Sequence, residues 1–239
     1  MENKNISGAG AFKFPIALTI IMWIIIFIPS GTVGFWQGWI FWTGFSLITF
    51  FITFYFIKRN PEFLARRAKT MGDKSGRDKT GRDKTKGDKT STTKAPAPLK
   101  IFFIGFILPG IDFRFHWSNV PLWLVLLSNI IAFAAYIFIF YVFKVNSYAS
   151  AAIQVEKEQK VISTGPYAII RHPMYLGMVI MALFMPLALG SYFSLIPIAL
   201  IIPITVYRLK NEEKILLKEL KGYEEYCRKT RFRLIPYIW

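Results

Sequence analysis

One stretch of the chain reads Gly165-Pro166-Tyr167-x-x-x-Arg171-His172-Pro173-Met174-Tyr175-Leu176-Gly177, which sets a guanidinium and an imidazole between two phenols. Pro173 suits the first turn of a helix, where its missing N–H costs nothing. A helix beginning there points free backbone N–H groups and its positive dipole end outward, and Arg171 and His172 add donors beside it. That corner suits an anionic or strongly hydrogen-bonding ligand. The plainer alternative is a helix anchored at lipid headgroups, with Tyr167 and Tyr175 as interfacial aromatics.

A second constellation runs through the tail: Arg208-x-x-x-Glu212-Glu213, then Leu216, Leu220, Tyr223 and Tyr226, and finally Arg231, Arg233 and Pro236. Its apolar spacing is helical. Adjacent carboxylates point about 100° apart on a helix, so only one of Glu212 and Glu213 belongs to the plain solvent face. Glu212 has Arg208 at i,i−4 as a local partner. A buried Glu213 needs a cationic or multi-donor partner, and the Arg171-His172 corner offers one. A smaller cluster, Asp112, Arg114 and His116, reads as a local turn with an Asp112–Arg114 pair.

The elements that carry these residues are apolar. The 239 residues are 54% hydrophobic and only 18% charged, yet the formal net charge is +16. The apolar residues fall in runs, and runs of about 18 or more are candidates to cross a bilayer. Phe14–Ile28, Phe35–Ile57 and Val120–Phe143 hold no charge, and Met174–Leu189 with Tyr192–Val206 form two arms around Gly190-Ser191. Leu99–Ile111 is short, and Pro109-Gly110 followed by Asp112 reads as an early stop, so a re-entrant or interfacial piece is an alternative to a crossing there.

Charge placement favours the crossing. Of the 30 Lys and Arg, 2 precede the first apolar run, 14 lie within 58–100, 4 within 144–171 and 9 from residue 208 onward, leaving Arg114 alone. Six crossings put all but Arg114 on one face, as the positive-inside tendency asks of a cytoplasmic side. Five crossings remain the alternative. The expectation is an all-α polytopic transmembrane bundle with a C-terminal cytoplasmic helix: a hairpin over 1–57, a basic loop over 58–100, and a core over 101–239.

Other functions are weakened by what the sequence lacks. The repeat over 72–90, GDKS-GRDKT-GRDKT-KGDKT, has no apolar position to bury and reads as solvated loop ending at the stiffer Ala95-Pro96-Ala97-Pro98. Contact of this loop with anionic lipid headgroups is the sharper alternative. Nucleic-acid binding is disfavoured, because Asp73, Asp78, Asp83 and Asp88 interrupt the basic residues and no aromatic stands among them for stacking. Gly76-x-x-x-x-Gly81 is followed by Arg82-Asp83 where a phosphate loop needs Lys and Ser or Thr, and Gly8-x-Gly10 lacks the third glycine of a dinucleotide fingerprint. With one cysteine, Cys227, and two histidines, His116 and His172, the usual Cys/His zinc sets cannot be assembled, and no metal is expected.

Taken together, GPYxxxRHPxYxG, a helical hairpin, Glu-Glu, Tyr-x-x-Tyr and the closing arginines before Pro236 resemble the isoprenylcysteine carboxyl methyltransferase family, close to the phospholipid methyltransferases. The resemblance covers Asn146 to Pro236, and Asp112-Phe113-Arg114-Phe115-His116-Trp117-Ser118 looks like its bacterial members. It implies a membrane-embedded enzyme that uses S-adenosyl-L-methionine to methylate a lipid-like acceptor, most simply an isoprenylcysteine carboxylate. It also implies residue roles. Tyr167, His172, Pro173, Tyr175 and Gly177 match a first cofactor motif, and Glu212 and Glu213 match the paired acids of a second. Arg171 and Arg231 match positions expected to hold a substrate carboxylate or the cofactor, with Glu213 as a further catalytic candidate. Two departures stand out: Lys221-Gly222 replaces the usual Phe-Gly, and Arg231-Phe232-Arg233 leaves the closing arginine open by two positions.

The implied partners are membrane lipids and a lipophilic or prenylated substrate, and the implied location is a bacterial inner membrane with both termini and the cofactor site cytoplasmic. Two other classes compete: an NADPH-dependent sterol or enone reductase, whose membrane members also carry Arg-His-Pro-x-Tyr-x-Gly, and a non-catalytic membrane scaffold.

Overall fold

The computed structural model describes residues 11–64, 97–148 and 159–239. The 72–90 repeat and the Gly8-x-Gly10 pair lie outside them. The described residues are helical, with helices α1 (Lys13–Ser30), α2 (Trp36–Arg59), α3 (Ala97–Phe115), α4 (Leu122–Val145), α5 (Pro173–Ala188), α6 (Leu195–Ala199), α7 (Ile201–Glu219) and α8 (Tyr223–Lys229), and a 3-10 turn at Gly165–Ala168. The one break in this pattern is an isolated parallel bridge, Ile170 to Phe232. The chain is thus an all-α helical membrane protein. Helices α1, α2 and α4 are long and apolar enough to span a bilayer, and α5 is a shorter apolar helix. Their outward faces carry Ile20, Ile24, Leu47, Phe51, Ile130 and Ile137, all exposed, as lipid-facing surfaces do.

Contacts fix the direction of each helix. The rings of Phe41, Phe45 and Phe51 of α2 meet those of Phe133, Tyr136 and Phe140 of α4 in that order, so these two run parallel. Gly177 of α5 lies against Ile139, and Asn129 Nδ2 donates to the Ala188 carbonyl at 3.1 Å, so α4 and α5 run antiparallel. Helix α3 passes beside α1 in the same direction. The described residues therefore make six passages between two ends of the bundle, the last made by α6 and α7 together.

The Pro109-Gly110 pair does not stop α3. Proline removes one ladder hydrogen bond and kinks a helix, but packed neighbours in a membrane bundle tolerate this. Gly110 supplies the packing: a Cβ there would stand 2.7 Å from the Ile26 carbonyl oxygen and 3.0 Å from the Ser30 nitrogen. The apparent stop is a close helix crossing. A real break comes instead at Leu200, where Pro197 and Pro203 flank the junction of α6 and α7 and withdraw two N–H donors from the ladder. Beyond that junction, α7 runs without interruption from Ile201 to Glu219, so the last apolar arm and the paired acids share one rigid rod.

The Asp112–Arg114 pair expected from the sequence does not form. Asp112 is buried and turns inward, accepting from the Ser118 backbone N–H at 2.7 Å, from the Ser118 hydroxyl at 2.6 Å and from the Ser191 hydroxyl. The guanidinium of Arg114 packs over Gly31 instead. Asp112 thereby ties the α3–α4 connection to the turn after α5, because short serine donors satisfy a buried carboxylate without the desolvation of a long cation.

Candidate functional site

At the opposite end of the bundle the two sequence constellations meet. The chain enters α5 through His172, which occupies the N-cap position, with Pro173 as the first helical residue. Its approach is held from outside: Arg171 N–H donates to the Phe232 carbonyl and His172 N–H to the Arg233 carbonyl, both at 2.9 Å. The tail is thereby strapped across the start of α5.

Glu213 is the hub. It is 6% exposed, and α7 delivers its carboxylate into the strap. Arg171 Nη1 donates to Oε1 at 2.8 Å, His172 Nε2 lies 3.3 Å from the same oxygen, and Arg233 Nε donates to Oε2 at 2.8 Å. Burial on its own raises this carboxyl. Hydrogen bonds from His172 and Arg233, with the charges of His172 and Arg171, outweigh that and bring it down to about 2. Glu213 is therefore ionised at any physiological pH.

Arg171 is equally committed. Besides Glu213, its Nη1 stands 3.3 Å from Cys227 Sγ, and its Nη2 donates to the Arg231 carbonyl at 2.9 Å. This decides the register of the tail. Arg231 contributes its carbonyl to the site while the residue itself is exposed. Arg233, two residues on, puts its guanidinium on Glu213 and under the Trp239 ring, 5.4 Å from the centroid. Successive side chains alternate in an extended strap, so two residues apart is the same face in different depth, and the bridge at Phe232 sets which one reaches inward.

Glu212, one position before the hub, faces the first turns of α5. Tyr175 donates its hydroxyl to Glu212 Oε2 at 2.6 Å and accepts from Arg208 Nε at 3.1 Å. The sequence pointed to Glu212 and Arg208 as i,i+4 partners; the phenol of Tyr175 stands between them and joins α5 to α7. Tyr167 is buried, and its carbonyl accepts from the Tyr226 hydroxyl at 2.8 Å. Burial is the main cause that raises its own phenol to about 12, against a hydrogen bond with Asn146. Gly177 lies away from the ion pairs, under Ile139, where a Cβ would come within 2.6 Å. Its place is in helix packing.

Three residues of this end were named in the sequence without a role at the site: Cys227, Tyr223 and Arg208. Cys227 and Tyr223 are four apart on α8, one turn of the same face, and this spacing was the only available signal. As a whole the arrangement offers two fixed carboxylates, two buried or half-buried arginines, an imidazole and several phenols beside the mouth of a lipid-facing bundle. Such a donor set can hold a zwitterion or an anion.

Two similarities to known proteins cover part of the chain. Residues 124–218, which run from α4 to the end of α7, match the model described as "Isoprenylcysteine carboxyl methyltransferase (ICMT) family". A curated relative, "Delta(14)-sterol reductase TM7SF2" of Mus musculus, is 33% identical over 84 residues, which is 34% of this chain and 20% of that protein. The chain thus spans about one fifth of the length of the curated relative it matches.

Proposed function

We propose, from the premise that this chain belongs to the isoprenylcysteine carboxyl methyltransferase family through residues 124–218, that it is an integral membrane methyltransferase using S-adenosyl-L-methionine to methylate the carboxylate of a lipophilic, isoprenylcysteine-type acceptor. The observation that carries this reading is the Glu213 hub, where Arg171 and His172 from the start of α5 and Arg233 from the tail converge on one buried carboxylate of α7.

The residues present fit the cofactor. Its amino-acid end carries both an ammonium and a carboxylate, and the site has Glu212 and Glu213 for the first and Arg171 and Arg233 for the second. When bound, the cofactor supplies an electrophilic methyl group on a sulfonium. An acceptor carboxylate is already ionised at neutral pH, so these residues have no proton to remove. What they contribute is alignment and countercharge in a water-poor setting. The ion pairs fix the start of α5, the rod of α7 and the strap at one relative geometry, while Tyr175 locks the two helices one turn nearer the membrane. An acceptor with a prenyl tail reaches this end along the apolar flanks, since the outer faces of the bundle are themselves lipid-exposed. We place the site, the basic loops and both termini on the cytoplasmic side on the positive-inside argument, and a bacterial inner membrane follows from the Asp112–Ser118 resemblance.

A second reading, an NADPH-dependent membrane reductase, is favoured by the similarity to the mouse reductase over 84 residues. One experiment separates them. Calorimetry in nanodiscs, with S-adenosylhomocysteine and NADPH as titrants, is expected to give saturable binding of the first only, weakened by Glu213→Ala. Preference for NADPH would move the protein to the reductases, and binding of neither would favour a scaffold.

A further inference from the structure

Helix α8 carries two tyrosines three residues apart whose hydroxyls are treated very differently. Tyr226 donates to the Tyr167 carbonyl at 2.8 Å. Tyr223 is 4% exposed, and its hydroxyl has no hydrogen-bond partner. A buried phenol normally finds one, because an unpaired hydroxyl forfeits its hydration for nothing. Nearby, the Nε of Arg171 is likewise buried and unpartnered. Cys227, one turn along α8 from Tyr223, touches Arg171 Nη1 at 3.3 Å, so the face of α8 that carries both residues is turned toward Arg171.

Charge points the same way. The hub holds two arginines against one carboxylate, so it has one positive charge in excess before any proton on His172 is considered. Tyr226 and Thr230 spend their hydroxyls on the Tyr167 carbonyl, and Tyr175 spends its own on Glu212. Two donors and one uncompensated charge remain, which together describe the complement of a single anionic oxygen pair.

We propose that Tyr223 is a ligand-binding residue, its hydroxyl and the Nε of Arg171 forming a site for a carboxylate of the reacting molecules. This rests on the methyltransferase reading and deepens it. The carboxylate has two sources, the amino-acid end of the cofactor and the acceptor itself. Both donors are already shielded from water, so the desolvation cost of the protein side is met before binding; the half-buried Cys227 side chain is the part that must swing aside.

The test compares Tyr223→Phe, Tyr226→Phe and the parent protein in nanodiscs. The titrants are S-adenosylhomocysteine and 5′-methylthioadenosine, which keeps the nucleoside and thioether but lacks the amino-acid end. KM is measured for an N-acylated prenylcysteine. If the cofactor carboxylate is bound, Tyr223→Phe loses about tenfold in affinity for the first titrant and nothing for the second, as removal of one charge-assisted hydrogen bond predicts. If the acceptor carboxylate is bound, KM rises by about tenfold instead and both titrants are unaffected. In either case the thermal stability of Tyr223→Phe matches or exceeds the parent, whereas Tyr226→Phe is less stable. Unchanged affinity and KM would overturn the proposal, as would equal loss for both titrants with a fall in stability, which marks a packing role. Failure of the parent protein to bind S-adenosylhomocysteine would instead bring down the methyltransferase reading, and this inference with it.

Discussion

Replacing Glu213 by glutamine tests the hub directly, since the amide keeps the shape and removes the charge. Removing one member of a buried ion pair costs about 3–5 kcal/mol, because the partner is left uncompensated. Here the three partners differ. The side chain of Arg171 is 11% exposed and cannot recover its hydration, whereas that of Arg233 is 35% exposed and recovers much of it. The cost therefore comes chiefly from Arg171 and sits at the low end, about 3 kcal/mol. The depression of Glu213 from 4.5 to about 2 corresponds to about 3.5 kcal/mol at about 1.4 kcal/mol per pKa unit, a figure of the same order drawn from the same contacts.

For a chain of this length, about 3 kcal/mol corresponds to a Tm lower by about 6–12 °C in nanodisc unfolding followed by near-ultraviolet circular dichroism. The pH dependence carries the sign of the argument. A carboxyl whose folded pKa lies below its unfolded one contributes stability that is complete above about 4.5 and is lost as pH falls through about 2. Parent and Glu213→Gln should thus differ most at neutral pH and converge across that window. A variant unfolding within about 2 °C of the parent at neutral pH would refute the hub as the organising contact, as would a Tm difference that persists below about pH 2.

Three further outcomes follow from the geometry. Arg231→Ala is expected to leave S-adenosylhomocysteine affinity within about twofold of the parent because only its carbonyl is used, whereas Arg233→Ala should lower that affinity about tenfold; calorimetry on the pair checks the register. Tyr175→Phe removes the hydroxyl shared by Glu212 and Arg208 and should cost about 1–3 kcal/mol in thermal unfolding, with little change in helix content by circular dichroism. Gly110→Ala should destabilise by about 1–3 kcal/mol, since the new methyl meets α1 backbone rather than a movable side chain, yet leave cofactor affinity intact in the protein that remains folded.

Much of this molecule was legible before any coordinates. Uninterrupted apolar runs have only one economical fate in a bilayer, because every backbone polar group must be satisfied within its own helix. The lone Arg114 then sets the parity of crossings. The likeness of Arg171-His172-Pro173 to a helix entrance was also local information, since a proline at the first helical position follows from covalent geometry. The pairing of that corner with Glu213 could be argued from charge alone, as a buried carboxylate demands donors.

Long-range registers required the fold. Pro109-Gly110 reads as a stop in one dimension, but whether a proline is tolerated depends on what packs against it, and here that is the backbone of α1. The choice between Arg231 and Arg233 is of the same kind: both have equal chemistry, and only the bridge of Phe232 to Ile170 decides which guanidinium meets Glu213. The insertion of Tyr175 between Arg208 and Glu212, and the turning of Asp112 toward Ser118 and Ser191 rather than toward Arg114, depend on neighbours up to 79 positions away. Sequence by itself determined the solvent, the helices and the kinds of group at the site, because these depend on local composition and period. Tertiary structure alone decided which groups touch, because a hydrogen bond is made or lost within a few tenths of an ångström and that precision is set by packing across the bundle.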